Sequence, residues 1–174
     1  VISRLSQFIK ENKLGSMSGL LAQISKPSGN ILLKQVIDRM TTNETLWFRD
    51  RYPFDYLVST IIPQIKNATR TTRIWCAACS TGQEPYSIAI QLEEAGVANN
   101  IEIVATDLSE RVLAKARSGI YQKIELNRGM SEDKLDRYFK KYDENEWQIA
   151  AKIRNRVRFQ QLNLLSAPFL LGQF

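Results

Sequence analysis

Apolar positions in the first forty residues recur at helical spacing. Ile2, Leu5, Phe8 and Ile9 fall on one face, with Arg4, Lys10 and Lys13 interleaved, which is the period of an amphipathic helix. Ser16 or Ser18 is placed to cap a second helix carrying Leu20, Leu21 and Ile24. Lys26-Pro27-Ser28-Gly29-Asn30 reads as a turn. Ile31, Leu32, Val36, Ile37 and Met40 mark a third helix. The stretch Thr41-Thr42-Asn43-Glu44-Thr45 is too polar for a core and reads as irregular. Phe54 to Ile65 reads as a helix with Leu57, Val58, Ile61 and Ile62 on its apolar face, and Pro63 predicts that it kinks or ends early.

From about residue 71 the period changes. Arg73 to Ala78 is a short apolar strand, followed by the loop Ser80-Thr81-Gly82-Gln83-Glu84. Pro85 marks the start of a helix and Gly96 its end. Ile101 to Ala105 is a second strand, finishing in Thr106-Asp107. Ser109 caps a helix running through Arg117 and closed by Gly119. Ser131 opens another, with Leu135, Tyr138, Phe139 and Tyr142 on one side, and Val157 to Leu165 reads as a later strand. Strands alternating with helices imply a parallel sheet with crossovers. Three segments result: a helical N-terminal domain over 1–40, a linker segment and helix over 41–70, and an α/β domain over 71–174.

Composition narrows the classes. The chain has 174 residues and a net charge of +6, which admits either an ordinary surface or an acidic partner. It lacks the aromatic-plus-basic stripe of single-strand RNA binders, so no nucleic acid is expected. No apolar run approaches the ~20 residues of a membrane span, and no signal segment opens the chain, so a cytoplasmic protein without membrane insertion is expected. Cys76 and Cys79 form a CxxC inside an apolar strand, and the chain has no histidine or further cysteine. A zinc site would need two more ligands, so no metal is expected. The chain starts within a helical pattern without methionine and finishes on an apolar LLGQF, which suggests a fragment of a longer protein.

The first strand–loop–helix unit has the layout of a nucleotide-type site, since ligands of open α/β sheets sit beyond the carboxyl ends of the strands. Gly82, lacking a side chain, lets the backbone come close to a ligand. Asp107 follows at the tip of the next strand, where an acid can accept hydrogen bonds from ribose hydroxyls. Ser109 is the better helix cap, which frees Asp107 for that task. A dinucleotide turn needs GxGxxG to cradle a pyrophosphate. This loop has one glycine and adds Glu84, which repels anions and attracts cations. S-adenosylmethionine has ribose hydroxyls, no phosphate, a sulfonium and an ammonium, and suits the loop better than NAD or ATP. The plainer reading of Glu84 is a carboxylate favoured by a helix N-terminus.

Four segments then resemble one family, the CheR-type chemotaxis methyltransferases. Met40 to Asp50 (MTTNETLWFRD) resembles its TTNxTxFFR segment, and Ala77 to Ser87 (AACSTGQEPYS) its S-T-G-E-E-P-Y-S loop. Ala105-Thr106-Asp107-Leu108-Ser109 through Tyr121 is similar to its second strand and following helix, and Gln161 to Leu165 to a further cofactor-contacting segment. The resemblance covers nearly the whole chain in order. It implies an α/β fold, the Rossmann-like parallel sheet of class I methyltransferases, incomplete at the C-terminus and preceded by a small all-helical domain. It implies S-adenosyl-L-methionine as cofactor, S-adenosyl-L-homocysteine as product, and methyl esters formed on glutamates of chemoreceptors. It puts cofactor contacts on Asn43, Thr45, Arg49, Glu84, Asp107, Asn163 and Leu164. Arg49 would face the methionine carboxylate or the substrate's and carry the catalytic role. Arg4 and Lys10 would face the receptor's cytoplasmic helical bundle, although a solvated helix face explains them equally.

Three departures stand out. Trp47 replaces a smaller aromatic. Gln83 replaces the first acid of a pair, leaving one carboxylate fewer toward the cofactor. The chain stops before a C-R-N-x-x-I-Y-F strand and, with the later strands, before the small β insertion that some members dock on receptor tails. Two other functions stay open: a cofactor- or receptor-binding module without turnover, and a methyltransferase for another acceptor such as RNA.

Overall fold

A computed structural model describes residues 2–66, 68, 71–97, 101–165 and 171–174. It divides into two compact units, Val1–Thr42 and Asn43–Phe174. Most of the segment set apart as a linker thus belongs to the second unit.

The first unit holds α1 (Ile2–Glu11), α2 (Met17–Ile24), a 3-10 turn (Pro27–Gly29) and α3 (Asn30–Met40). Leu5, Phe8, Ile9 and Leu20 form its buried core, with Leu14, Met17, Ile24, Leu32, Val36 and Met40 packed around them. Ser16, not Ser18, caps α2, its hydroxyl accepting the Gly19 N–H at 3.1 Å.

The second unit opens with 43–51 in irregular backbone. Next come α4 (Tyr52–Tyr56), a π-helical turn (Leu57–Ile61) and α5 (Ile62–Lys66) in one continuous run. The helix therefore does not end early at Pro63. The Ile62 N–H bonds to the Leu57 carbonyl, and this wider turn carries the chain past a ring that cannot take an ordinary helical bond. The wider turn also moves the apolar face. Leu57, Ile62 and Ile65 are buried, while Val58 is 46% exposed.

Then follow β1 (Thr72–Ala77), α6 (Gln83–Glu94), β2 (Ile101–Asp107) and α7 (Glu110–Ser118). Helix α6 begins two residues before Pro85, which the first turn tolerates because an N–H there has no helical partner. Between α7 and the next parallel strand lie β3 (Ile120–Gln122), α8 (Lys123–Leu126), α9 (Glu132–Tyr138), β4 (Phe139–Asp143), β5 (Glu146–Ile149) and α10 (Ala151–Arg154). The parallel strand is β6 (Val157–Gln161). The parallel sheet has the order β1-β2-β6, with Cys76 beside Ala105 and Ala105 beside Phe159. No helix among the described residues is long and apolar enough to cross a membrane.

The inserted β3-β5-β4 sheet is antiparallel and corrects two expectations. A small β insertion lies within this chain, not beyond it. The helix opened by Ser131 also stops at Tyr138. Phe139 is extended (φ −126°, ψ 149°) and pairs with Ile149. Tyr142 falls at a bulge in β4 and is exposed, whereas Phe139 is buried. Strand pairing overrode the helical spacing of these aromatics.

Candidate functional site

The parallel strands end along one edge, β1 at Ala77, β2 at Asp107 and β6 at Gln161. Asp107 braces the connections there. Its Oδ2 accepts the Ser80 N–H at 2.8 Å and its Oδ1 the Ser109 N–H at 2.9 Å, and the residue is 8% exposed. Ser109 does cap α7, accepting the Val112 N–H. That cap does not free Asp107, however, because its carboxylate is already engaged on both oxygens. A carboxylate has about four acceptor positions, so capacity remains for a ligand's hydroxyls. The Leu162 N–H bonds to the Asp107 carbonyl at 2.9 Å, which sets Asn163 and Leu164 just past that strand tip. Both are exposed, and the Asn163 side chain accepts the Leu165 N–H.

Gly82 is left-handed (φ +95°) at the N-cap of α6. A side chain there would press on Ala116 Cβ at 3.0 Å and Tyr121 Oη at 3.2 Å. Protein, rather than open space for a ligand, occupies the room that the missing side chain leaves. Gln83 is buried, and its amide oxygen accepts the Thr81 hydroxyl at 2.8 Å. It folds back onto its own loop and does not line the cavity. Glu84 is exposed in the first turn of α6 and lines a cavity of about 460 Å³. Its helix position and its place on the cavity are compatible.

Thr45, Arg49, Ser80 and Ala78 line the same cavity, which Phe54, Leu57, Ile61 and Ile74 close on its apolar side. Arg49 pairs with Asp50 at 3.5 Å, and its side chain is more than half exposed. Asn43 contributes through its backbone, its carbonyl accepting the Ser80 hydroxyl at 3.1 Å. Asn43, Gly82, Asp107, Asn163 and Leu164 do not line this cavity, so it gathers only Thr45, Arg49 and Glu84 of the expected contacts. Much of the surrounding backbone is strained: Phe48, Asp50, Arg51, Ala78 and Ser80 all have positive φ, the kind of conformation that clusters at functional sites.

Sequence reading missed the residues that hold these segments. The Tyr121 hydroxyl donates to the Thr81 carbonyl at 2.7 Å. The Ser87 hydroxyl receives the Phe48 N–H. Trp47 is 1% exposed and meets Tyr121 and Phe139 edge-on at 5.0 and 5.4 Å. The available signals were a serine on the apolar face of α6 and an apolar Leu46-Trp47-Phe48 run inside a polar segment.

Cys76 and Cys79 are free and buried. Burial, reinforced by the Glu84 charge, holds the Cys76 thiol well above its ordinary value. Burial, with Asp107 adding to it, pushes Cys79 up to about 12. Both therefore stay protonated and unreactive near neutrality. Among the described residues no group of acids and cysteines is placed to hold a metal ion. In the helical unit, Arg4 is a strut, donating to the Met40 carbonyl at 2.9 Å and the Thr42 hydroxyl at 3.1 Å. Lys10 is exposed on α1.

Known proteins resemble this chain closely. It is 41% identical over 182 residues to "Chemotaxis protein methyltransferase 1" of Pseudomonas aeruginosa, covering 100% of this chain and 66% of that protein. It is 37% identical over 179 residues to "Chemotaxis protein methyltransferase" of Vibrio parahaemolyticus, covering 100% and 65%. A relative of the same name in Borreliella burgdorferi is 33% identical over 176 residues, covering 96% and 62%. The chain thus spans just under two thirds of the length of each of these relatives. Residues 43–174, the second compact unit from its first residue onward, match the family described as "CheR methyltransferase, SAM binding domain", and the chain therefore belongs to the CheR methyltransferases, with S-adenosylmethionine as its cofactor.

Proposed function

We propose that this chain supplies the cofactor-binding core of a cytoplasmic protein-glutamate O-methyltransferase acting on chemoreceptors. The observation that carries the reading is the juxtaposition along one sheet edge: a braced strand-tip carboxylate, Asp107, and a cavity lined by Thr45, Arg49 and Glu84. These groups suit the cofactor. Asp107 has acceptor capacity for ribose hydroxyls, and Glu84 places negative charge where a sulfonium or ammonium is favoured over a phosphate.

S-adenosylmethionine supplies a methyl group on a positively charged sulfur. A glutamate acceptor is ionised at neutral pH, with an ordinary pKa of ~4.3. It attacks without a general base, so the absence of histidine from the chain is no obstacle. What the protein must contribute is alignment and exclusion of water. Oriented proximity can contribute roughly 7–11 kcal/mol in favourable cases. The apolar wall of Phe54, Leu57, Ile61 and Ile74 keeps water from the reacting oxygen. The Arg49 fork matches a carboxylate, either the donor's or the acceptor's. Each ester removes one negative charge from the receptor, which is how such a mark shifts a signalling equilibrium.

Two surfaces fit the receptor. The Lys10 face of α1 suits an acidic helical bundle. The β3-β5-β4 sheet is a small antiparallel insertion, of the kind through which some family members dock on receptor tails.

Calorimetric titration with S-adenosylmethionine, followed by measurement of base-labile methyl groups on receptor cytoplasmic domains, tests the reading. Retention of the cofactor without transfer would instead support a binding module, and base-stable methyl groups another acceptor. Asp107→Ala is expected to weaken cofactor affinity sharply, and unchanged affinity would remove the ribose role. Arg49→Ala is expected to cut transfer about 100-fold. It should shift stability by no more than about 0.5 kcal/mol, as for other exposed positions.

A further inference from the structure

We propose that Ser87 is a positioning residue for methyl transfer, acting through the backbone of Phe48 on the direction of Arg49. This inference rests on the functional reading given above. Arg49 has little of its own to hold it. Its side chain is 57% exposed, and its ion pair with Asp50 spans 3.5 Å. Its direction is therefore set by the main chain, and that main chain is strained. Phe48 before it has φ +50°, and Asp50 and Arg51 after it have +64° and +38°. Three non-glycine residues in this region around one functional side chain persist only where the surroundings over-determine them.

The surroundings do so from two sides. On one, the Ser87 hydroxyl is fully buried on α6, donates to the Gln83 carbonyl at 2.7 Å and accepts the Phe48 N–H at 3.1 Å. Only a hydroxyl can do both from one small side chain within a helix. On the other, the Trp47 N–H bonds to the Arg128 carbonyl at 3.1 Å, and the indole is locked edge-on against Tyr121 and Phe139. A side chain at Gly129 (φ +107°) would collide with the Trp47 carbonyl. Trp47 thus anchors the segment in the inserted sheet, and Ser87 fixes the next peptide as the chain leaves that anchor. Ser87 does not itself line the cavity, so its effect on chemistry passes through Arg49.

A double-mutant cycle on the full-length protein tests this, reading base-labile methyl transfer from labelled S-adenosylmethionine to receptor cytoplasmic domains, with thermal unfolding alongside. In the otherwise unaltered protein, Ser87→Ala is expected to lower kcat/KM roughly 10-fold or more, as a small misplacement of a reacting group does. In an Arg49→Ala background the same change should lower it less than about 2-fold, because residues acting as a unit are not additive. A general loosening of the fold would give the same factor in both backgrounds, and that result overturns the proposal. So does a Ser87→Ala enzyme as active as the parent. If Ser87→Ala fails to fold, Ser87→Cys, which keeps a weaker donor and acceptor at the same position, takes its place, and the cycle is judged by the same criterion. An unaltered protein that neither retains the cofactor nor transfers a methyl group overturns the functional reading and this inference with it. A competent parent with an additive cycle overturns this inference alone.

Discussion

The helical unit and the strand-tip edge of the second unit hold their polar groups in opposite ways. In the helical unit, order comes mainly from local rules, a serine cap and helical periodicity, with one long-range strut from Arg4 to the end of α3. At the strand tips, order comes from distant partners. Ser80 is held by Asp107, Asn43 by Ser80, Phe48 by Ser87 and Thr81 by Tyr121. Backbone conformation follows the same division. Of the six non-glycine residues with positive φ among those described, five lie in 48–51 and 78–80. Each such residue costs of order 1 kcal/mol or more. A helix that obeys local preference needs no long-range brace, whereas a strained loop exists only while its braces do.

The sharpest way to break this contrast is to remove the largest brace. Trp47→Ala is expected to cost about 3–5 kcal/mol, as for other buried aromatics. Cofactor affinity should fall with it, because the 43–51 segment loses its anchor. Denaturant unfolding and calorimetry read both effects. A variant that is destabilised yet binds the cofactor as the parent does would separate fold from site and sink the idea of a shared brace.

A second effect is pH dependence at the strand-tip edge. The folded Cys79 thiol keeps its proton until about pH 12, against an ordinary value of 9.0. Between those values the folded state binds more protons than the unfolded one. The Cys79 contribution to stability is therefore fully present below about pH 9 and is lost as pH rises, by up to about 1.4 kcal/mol per pH unit. Cys79→Ala should flatten that part of the profile, and an unchanged slope would assign the decline to other groups.

The smallest effect sharpens the picture of the helical unit. Arg4→Ala should cost about 1 kcal/mol through its lost hydrogen bonds, while Lys10→Ala should stay within about 0.5 kcal/mol. Equal losses would mean that Arg4 is no strut. If Lys10 serves the receptor, its loss should appear in receptor affinity instead.

How much was legible from sequence varied with the range of the interactions involved. Ser109 and Gly119 bound α7 as expected, because caps are local. The two strands after residue 71 and the one after 156 were readable from apolar runs. The β3-β5-β4 sheet was not. Leu135, Tyr138, Phe139 and Tyr142 have helical spacing, and only pairing with β5 makes Phe139 extended. Gln83 looked like a lost acid facing the cofactor, yet it is turned inward by Thr81. Asp107 was correctly placed at a strand tip, but its two backbone partners come from Ser80 and Ser109, and the first lies 27 residues away.

By itself, then, the sequence determined the α/β class, the helix and strand boundaries governed by caps and periodicity, and the residue types that suit a cationic, ribose-bearing donor. These are properties of neighbours along the chain. The tertiary structure alone decided which of those residues meet, which are braces, and where strain is tolerated. Those outcomes depend on contacts between segments far apart in sequence, whose energies no local pattern records.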